Sequence, residues 1–255
     1  MRYRLTKSKF ILGLQCEKAL YLDVYKPHLA YFPAETLARF RRGRQFEASV
    51  KAQFPMGIDI SQRLGRQIER YPDLTATLLS QKGEVTLFEA GFIHNQVLIL
   101  ADVVHKSADN QLAVYEIKNS TSVKEVFRRD VNIQHYVISH ALEQANHTIQ
   151  KNPIQLCSFS VLYNNGSDGV LREELLPDAR TAEPLIAEQV ARFHQVLQGL
   201  EPDIAIGDHC STPYDCPYRR YCSHSLTTQL DLPFATVYPD EEGHPAPPSR
   251  PQQHQ

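Results

Sequence analysis

The sequence has no long hydrophobic run and no excess of basic charge. No apolar stretch approaches the roughly 18 residues that a membrane-spanning helix needs, and the opening residues MRYRLTKSKF lack the apolar core of a signal peptide. Lysine and arginine together number 27, against 29 for aspartate and glutamate, which gives a net charge of −2. These absences predict a cytoplasmic protein with no membrane partner. Any contact with nucleic acid must then come from local basic patches.

Cysteine is also scarce, with five residues in 255. In a reducing compartment so few cysteines favour a metal or cluster site over a disulfide framework. Cys210, Cys216 and Cys222 share one short segment with five residues in each gap, whereas Cys16 stands alone near the start. Cys157 alternates with apolar residues in IQLCSFSVLY, which predicts a small core side chain.

The remaining pattern predicts an α/β fold in one large folded domain covering residues 1–226. Helical periodicity is found over residues 8–24, 33–54, 61–82, 123–145 and 181–198. Strand patterns cover residues 84–93, 96–104, 111–118 and 154–163, with turn residues between the first three. From residue 227 onward the chain is polar and rich in proline, which predicts a disordered tail.

Two of the predicted strands carry a charged group at the same end. Asp102 follows the apolar run VLILA, and Glu116 and Lys118 close the next strand, beyond a polar turn. Side chains alternate along a strand, so Glu116 and Lys118 share a face while Ile117 points away and offers only its carbonyl. We expect the two carboxylates to meet at one end of the sheet, where carboxylate oxygens and water suit Mg²⁺.

Such a centre would lower the pKa of a bound water and stabilise charge on a phosphate, which is the chemistry of phosphodiester hydrolysis. Lys118 would assist the water or neutralise developing charge. The alternative is an ordinary amphipathic hairpin with exposed charges. The apolar run before Asp102 favours a site, because an acid that ends a buried strand needs a partner.

These residues resemble the motif of the PD-(D/E)XK nuclease superfamily, with Ala101 in the position of the family's proline. Over residues 5–223 the chain resembles the RecB-like branch, which includes iron–sulfur CRISPR-adaptation exonucleases and the nuclease domain of the AddB subunit. The resemblance implies a restriction-endonuclease-like core with a mixed central sheet flanked by helices. It also implies a Mg²⁺- or Mn²⁺-dependent DNA exonuclease of repair, recombination or CRISPR-related processing, acting on single strands or free ends.

The resemblance extends to two helices beside the predicted site. In the branch a helical Gly-x-x-x-His motif supplies a metal ligand, and here Gly43 is followed at the matching position by Glu47, a harder ligand. Glu47 is otherwise a solvated charge on a helix. A glutamine of the following helix corresponds to Gln134, whereas Tyr136 is two residues away rather than four. Tyr136 is then either a DNA contact or a residue packed on the sheet.

For the cysteines, the resemblance implies a [4Fe–4S] cluster held by Cys16, Cys210, Cys216 and Cys222, which would join the two ends of the domain as a structural staple. The flank of Cys216, CPYR, matches the family, whereas the first gap of the trio is longer than usual. The alternatives are a zinc site of four cysteines, a zinc site that replaces one cysteine by His209 or His224, and free thiols.

Basic side chains lie near these motifs and could bind DNA phosphates, although solvated helix faces would look the same. They are Lys7, Lys9, the arginines of 39–44, Lys124, Arg128, Arg129, Arg219 and Arg220. In the tail, Gln229–Phe234 (QLDLPF) resembles the peptide by which bacterial repair proteins bind the β sliding clamp. Its leucines and phenylalanine would otherwise pack back on the domain.

Two readings from other classes compete with the nuclease. One is a non-catalytic nucleic-acid-binding module with a structural metal or cluster site, in which the acidic centre survives without a function. Metal titration separates this module from an enzyme, because the module need not bind Mn²⁺. The other is a zinc-stabilised interaction protein, which a brown iron–sulfur chromophore would exclude.

Overall fold

A computed structural model describes residues 5–148, 153–166 and 169–224. The chain divides into two compact units. The first, which we call the sheet unit, is Met1–Ile11 with Arg42–His194, and the second, the cysteine unit, is Leu12–Arg41 with Gln195–Gln255. The predicted disordered tail and its clamp-like peptide Gln229–Phe234 lie outside the described residues. Within the described ranges no helix is both long and apolar enough to cross a bilayer.

The described residues form a mixed seven-stranded sheet and a set of helices. The strands are β1 (Leu5–Thr6), β2 (Ile58–Asp59), β3 (Val85–His94), β4 (Val97–Lys106), β5 (Gln111–Lys118), β6 (Gln155–Asn164) and β7 (Val170–Glu174). The helices are α1 (Lys7–Gln15), α2 (Glu17–Tyr25), α3 (Ala34–Lys51), α4 (Ile60–Leu64), α5 (Tyr71–Leu79), α6 (Glu125–Thr148), α7 (Leu176–Val196) and α8 (Arg219–His224).

The sheet runs in the order β2-β3-β4-β5-β6-β7, and β1 pairs with β4. Strands β3, β4 and β5 form an antiparallel meander, β6 returns parallel to β5 after α6, and β7 closes antiparallel on β6. The return in parallel needs a crossover, which α6 provides. The predicted α/β class is therefore confirmed as a mixed sheet with flanking helices.

The four long strands were predicted within about two residues of their observed ends, a typical uncertainty for such patterns. The predicted helix over residues 8–24 is instead two helices, because the backbone of Cys16 is extended, with φ −162° and ψ 119°. Strands β1 and β2 have two residues each, too few for an alternating pattern to show. Strand β7 (VLREE) is mostly polar and was missed for that reason.

One face of the sheet is covered by the end of α3. Val50 packs there with Phe88, Val103, Ile117 and Leu162, one side chain from each of four neighbouring strands. Helix α6 packs against β3, β4 and β6. This packing brings the last turns of α3 beside the centre of β3 and β4, where the acidic residues lie.

A close approach of backbones fixes β3 against α5. A Cβ at Gly91 would lie 2.6 Å from the Tyr71 Cβ and 2.8 Å from the backbone nitrogen of Pro72. The Gly91 N–H donates to the Thr75 hydroxyl at 2.9 Å. Only glycine leaves room for this contact.

The prediction that Cys157 is a core residue is wrong, because this side chain is exposed. The ladder between β5 and β6 pairs Leu112 with Leu156 and then Ala113 with Ser158, so a bulge skips Cys157. A bulge shifts the alternation of faces by one residue, which a sequence pattern does not reveal.

Candidate functional site

Three carboxylates of the sheet unit converge at the centre of the sheet. Glu47 comes from α3, Glu89 from β3 and Asp102 from β4, and one oxygen from each lies within 4.8 Å of the others. The Lys51 ammonium lies among them, 2.5 Å from Glu47 Oε1 and 2.6 Å from Glu89 Oε1. Three ionised acids held this closely repel one another, and a cation between them relieves the repulsion. In this structure Lys51 supplies that positive charge.

Glu89 was not predicted as a site residue, and its backbone explains its position. Its φ is +53°, a left-handed conformation that is uncommon for residues other than glycine. The ladder pairs Phe88 with Val103 and Ala90 with Ala101 but omits the pair between them, Glu89 with Asp102. The irregular backbone thus turns Glu89 toward the other acids. The one sequence signal was an acid in the middle of an apolar strand.

Asp102 lies where the hairpin of β4 and β5 separates. Regular pairing ends at Val103 with Tyr115, and one step further the register sets Asp102 opposite Glu116. There the Asp102 carboxylate accepts the Ile117 N–H at 2.7 Å. Burial, and then the negative charge of Glu116, raise the pKa of Asp102 well above its ordinary value. A bound cation would offset this cost of ionisation.

Glu116 is almost fully buried and is surrounded by donors. Lys7 Nζ lies 2.7 and 2.9 Å from its two oxygens, Lys118 Nζ lies 2.7 Å from Oε1, and Gln134 Nε2 donates to Oε2 at 2.8 Å. Burial alone raises the pKa of Glu116, but the ammonium groups of Lys118 and Lys7 outweigh burial and hold it below its ordinary value. Glu116 is therefore ionised at neutral pH.

Lys118 is fixed between two acids. Its ammonium lies 2.7 Å from Glu116 Oε1 and 2.5 Å from Asp130 Oδ2, and 5.3 Å from the centre of the Phe127 ring. Burial lowers the pKa of Lys118, but the attraction of Glu116 and Asp130 is stronger and raises it well above its ordinary value. Lys118 is therefore a positive charge in a defined place, with 21% of its side chain exposed.

The structure thus brings Asp102, Glu116, Lys118, Gln134 and Glu47 into one neighbourhood, and their catalytic and metal-binding roles stay predictions. The residues that sequence reasoning did not place there are Glu89, Lys51 and Asp130, together with Lys7, which had been considered a phosphate contact. The contacts Lys7–Glu116 and Lys51–Glu89 join residues far apart in the sequence, so no local pattern encodes them.

Two further predictions concern the neighbours of these residues. The Ile117 N–H is used by Asp102, and the predicted role of the Ile117 carbonyl as a metal ligand stays a prediction. Tyr136 is 5% exposed and packs against His94 and His140, with ring centres 5.2 and 5.0 Å apart. Tyr136 is therefore a packing residue in this structure and not a residue exposed for contact with DNA.

The donor set suits a hard divalent cation. Carboxylate oxygens are the ligands that Mg²⁺ and Mn²⁺ prefer, and no thiol or imidazole joins the three acids among the described residues. A divalent ion at this place would compete with the Lys51 ammonium for the same oxygens, and the two positive charges would repel each other. Metal binding therefore requires Lys51 to leave the carboxylates.

Replacing Lys51 by methionine is expected to tighten Mn²⁺ binding by about tenfold, because the competing positive charge is removed. The metal-free variant should melt at a lower temperature, and Mn²⁺ should restore its stability. Calorimetric titration and thermal melting measure the two effects. The matched control is Lys82→Met, an exposed lysine of the same unit. Unchanged or weaker Mn²⁺ binding by Lys51→Met would contradict competition for the site.

The cysteine unit contains a second candidate site. Cys16, Cys210, Cys216 and Cys222 line one cavity, together with His209 and apolar side chains. Burial, with a contribution from the other three thiols, raises the pKa of Cys216 to about 11. The free Cys216 thiol is thus protonated at neutral pH, and a metal or cluster would have to displace its proton.

The spacing of the sulfurs bears on which group fits. Four sulfurs around one zinc ion at 2.3 Å lie about 3.8 Å apart. Within the described part of the chain, no three of the four cysteine sulfurs lie within 4.8 Å of one another, and the same holds for sets that include His209. The thiols as they stand are therefore not gathered around the position of a single tetrahedral ion. The side chain of His224 lies outside the description.

Hydrogen bonds hold the chain around this cavity. The Cys216 N–H donates to the Cys210 carbonyl at 2.9 Å, and the Tyr218 hydroxyl donates to Asp23 at 2.7 Å. The buried core of this region is small, with Ala19, Leu22 and Tyr218 fully inside it. Small cores of this kind usually need a covalent or metal link for stability.

Comparison with known proteins adds little. No protein-family model matches the chain, and no curated protein matches it. Among solved structures, the chain is similar to one titled "Crystal structure of SSO0001", with 18% identity over 89% of this chain and 98% of that one. The TM-score is 0.24, at which the similarity carries no argument about fold or function.

Proposed function

We propose that the chain is a divalent-metal-dependent nuclease that hydrolyses phosphodiester bonds in DNA, of the RecB-like PD-(D/E)XK type. The observation that carries the proposal is the meeting of Glu47, Glu89 and Asp102 within 4.8 Å, beside the Glu116–Lys118 pair. An oxygen-lined site with a fixed lysine next to it is what metal-assisted attack on a phosphate requires.

In this proposal Asp102, Glu47 and Glu89 hold Mg²⁺ or Mn²⁺. Glu116 and the carbonyl of Ile117 stay as ligands implied by the family resemblance. When bound, the metal lowers the pKa of a water and stabilises negative charge on the phosphate. The Ile117 N–H fixes the orientation of Asp102.

The other residues of the site hold its charged groups in fixed positions. Glu116 and Asp130 hold the Lys118 ammonium from two sides, so Lys118 can stabilise charge that develops on the phosphate without reorganising. Gln134 and Lys7 in turn fix Glu116. Gln134 is therefore a positioning residue, because the group that it touches is Glu116.

For the cysteine unit, we propose that Cys16, Cys210, Cys216 and Cys222 bind a [4Fe–4S] cluster. Four thiols line one cavity, and four thiolates are the usual ligand set of such a cluster. The cluster would be a structural staple, because it would tie α2 and the segment around α8 together across a small core. The alternative is a zinc site, and analysis of the bound metal distinguishes it from a cluster.

The proposed substrate is DNA with free ends or single-stranded regions, degraded by exonuclease action in the cytoplasm during repair, recombination or CRISPR-related processing. Docking on a sliding clamp through Gln229–Phe234 is part of the same proposal and rests on the sequence of that peptide alone. The substrate class follows from the motif resemblance, whereas the metal chemistry follows from the acids of the sheet unit.

The direct test uses protein purified without oxygen, whose Mn²⁺ binding is first measured by titration. The protein is then incubated with end-labelled linear single strands, linear duplex and circular single strands. Mn²⁺ should promote degradation of the linear DNA and leave circles intact, and a chelator should stop it. Folded protein that binds Mn²⁺ and leaves every DNA and RNA substrate intact would refute the proposal.

A further inference from the structure

The exposed aromatic side chains are concentrated in one part of the molecule. Four tyrosine and phenylalanine side chains are exposed among the described residues, namely Tyr25, Tyr31, Phe40 and Tyr214. All four lie in the cysteine unit, the smaller of the two. Exposed aromatic rings are costly in water, so those of them that lie beside a positive charge are candidates for a binding surface.

Two of these rings are paired with arginine. Arg220 Cζ lies 3.1 Å from the centre of the Tyr31 ring, and Arg39 Cζ lies 5.5 Å from that of Tyr214. Both arginines are exposed. Lys26 of the same unit also lies over a ring, with Nζ 5.1 Å from the centre of the half-buried Tyr221 ring, and both Lys18 and Lys26 pair with Glu201. Among the described residues of this unit, the cations that lie over exposed rings are those of Arg220 and Arg39.

Both tyrosines are fixed by their backbones. The Tyr31 N–H donates to the Pro217 carbonyl at 2.9 Å, and the Tyr214 carbonyl accepts from Gln15 Nε2 at 2.7 Å. Pro217 and Tyr214 belong to the segment that carries three of the cysteines. The backbone that carries each ring is thus held in place before any ligand arrives, which lowers the entropy lost on binding.

We infer that Tyr31, Tyr214, Arg39 and Arg220, which we call the aromatic–arginine surface, bind single-stranded DNA by stacking its bases. This inference rests on the proposed function for the identity of the ligand. Aromatic rings and guanidinium planes stack on unpaired bases of any sequence. A guanidinium that stacks also presents in-plane N–H donors to phosphate oxygens. A duplex keeps its bases covered, so it should bind this surface more weakly.

Binding is tested on the full chain with its cysteine site loaded and no divalent metal added, so that no DNA is cut. Fluorescence anisotropy compares a thymine oligonucleotide of about 20 residues, an abasic oligonucleotide of the same length and a duplex. Tyr31→Leu and Tyr214→Leu should each weaken thymine-strand binding by about tenfold and leave abasic binding unchanged. The control Tyr25→Leu, an exposed tyrosine outside the surface, should bind like the wild type. Visible absorbance of each variant reports whether the cysteine site is intact.

Either of two results would overturn the inference. In the first, both tyrosine variants bind the thymine strand like the wild type. The surface would then bind a partner other than single-stranded DNA. In the other, thymine and abasic strands lose equal affinity, which would assign the tyrosines a structural role. Failure of the proposed function gives a different result. A chain that binds single strands through these tyrosines but never cuts them would support the DNA-binding surface and refute the nuclease activity.

Discussion

Replacing Asp102 by asparagine is expected to reduce Mn²⁺-dependent DNA cleavage by about a thousandfold. The asparagine oxygen can still accept the Ile117 N–H, so the separation of β4 and β5 is preserved. What is lost is the charge, and with it one of the three carboxylates that meet within 4.8 Å. Rates on a linear single strand under single-turnover conditions measure the effect.

The melting temperature distinguishes a loss of activity at the metal centre from a loss caused by unfolding. Because the substitution removes one of several neighbouring negative charges, the metal-free variant should melt at the same temperature as the wild type or higher. The rise in melting temperature that Mn²⁺ gives the wild type should disappear. Asp109→Asn, an exposed acid in the turn of the same hairpin, is the matched control. An Asp102→Asn protein that still cuts DNA, or is still stabilised by Mn²⁺, would remove Asp102 from the metal centre.

The parts of the site that could be predicted lie on one hairpin. An apolar run that ends in Asp102 and an alternating strand that ends in Glu116 and Lys118 define both the strands and the shared face. Antiparallel pairing through a short turn then leaves little freedom of register. The observed pairing ends at Val103 with Tyr115, and the same register extended by one step sets Asp102 opposite Glu116.

The residues that could not be predicted depend on long-range contacts or on irregular backbone. Lys7 meets Glu116 across 109 residues of sequence, and Lys51 meets Glu89 across 38. Glu89 reaches the site through a positive φ, and the bulge at Cys157 exposes a side chain that alternation assigned to the core. Periodicity assumes regular strands, so it fails at such irregularities.

The observed charges also change the role expected of Glu116. The motif treats Asp102 and Glu116 as equivalent carboxylates, yet their surroundings push their pKa values in opposite directions. Burial and Glu116 raise the pKa of Asp102, whereas Lys118 and Lys7 lower that of Glu116 against the effect of burial. Asp102 thus needs an added cation, and Glu116 already has two. This difference favours Asp102, Glu47 and Glu89 as the first ligands of the metal.

For the cysteine unit, replacing Cys216 by serine is expected to abolish cluster binding, seen as loss of iron, sulfide and the brown colour. Cys216 is the thiol whose pKa burial raises to about 11 beside the other three cysteines, so three thiols would remain in a cavity built for four. Binding of a structural group contributes directly to folding free energy. The buried cluster of Ala19, Leu22 and Tyr218 beside these cysteines is small, so this unit should become sensitive to protease.

Cys157→Ser is the matched control, because Cys157 is exposed on β6 in the sheet unit and lies outside the cavity. It should keep full iron and sulfide and the protease resistance of the wild type. If the wild-type protein contains zinc and no iron, the bound group is a zinc site and not a cluster, and it would still link the same two segments. A Cys216→Ser protein with full metal content and unchanged protease resistance would contradict both, because four thiols would then not be needed to hold the two segments together.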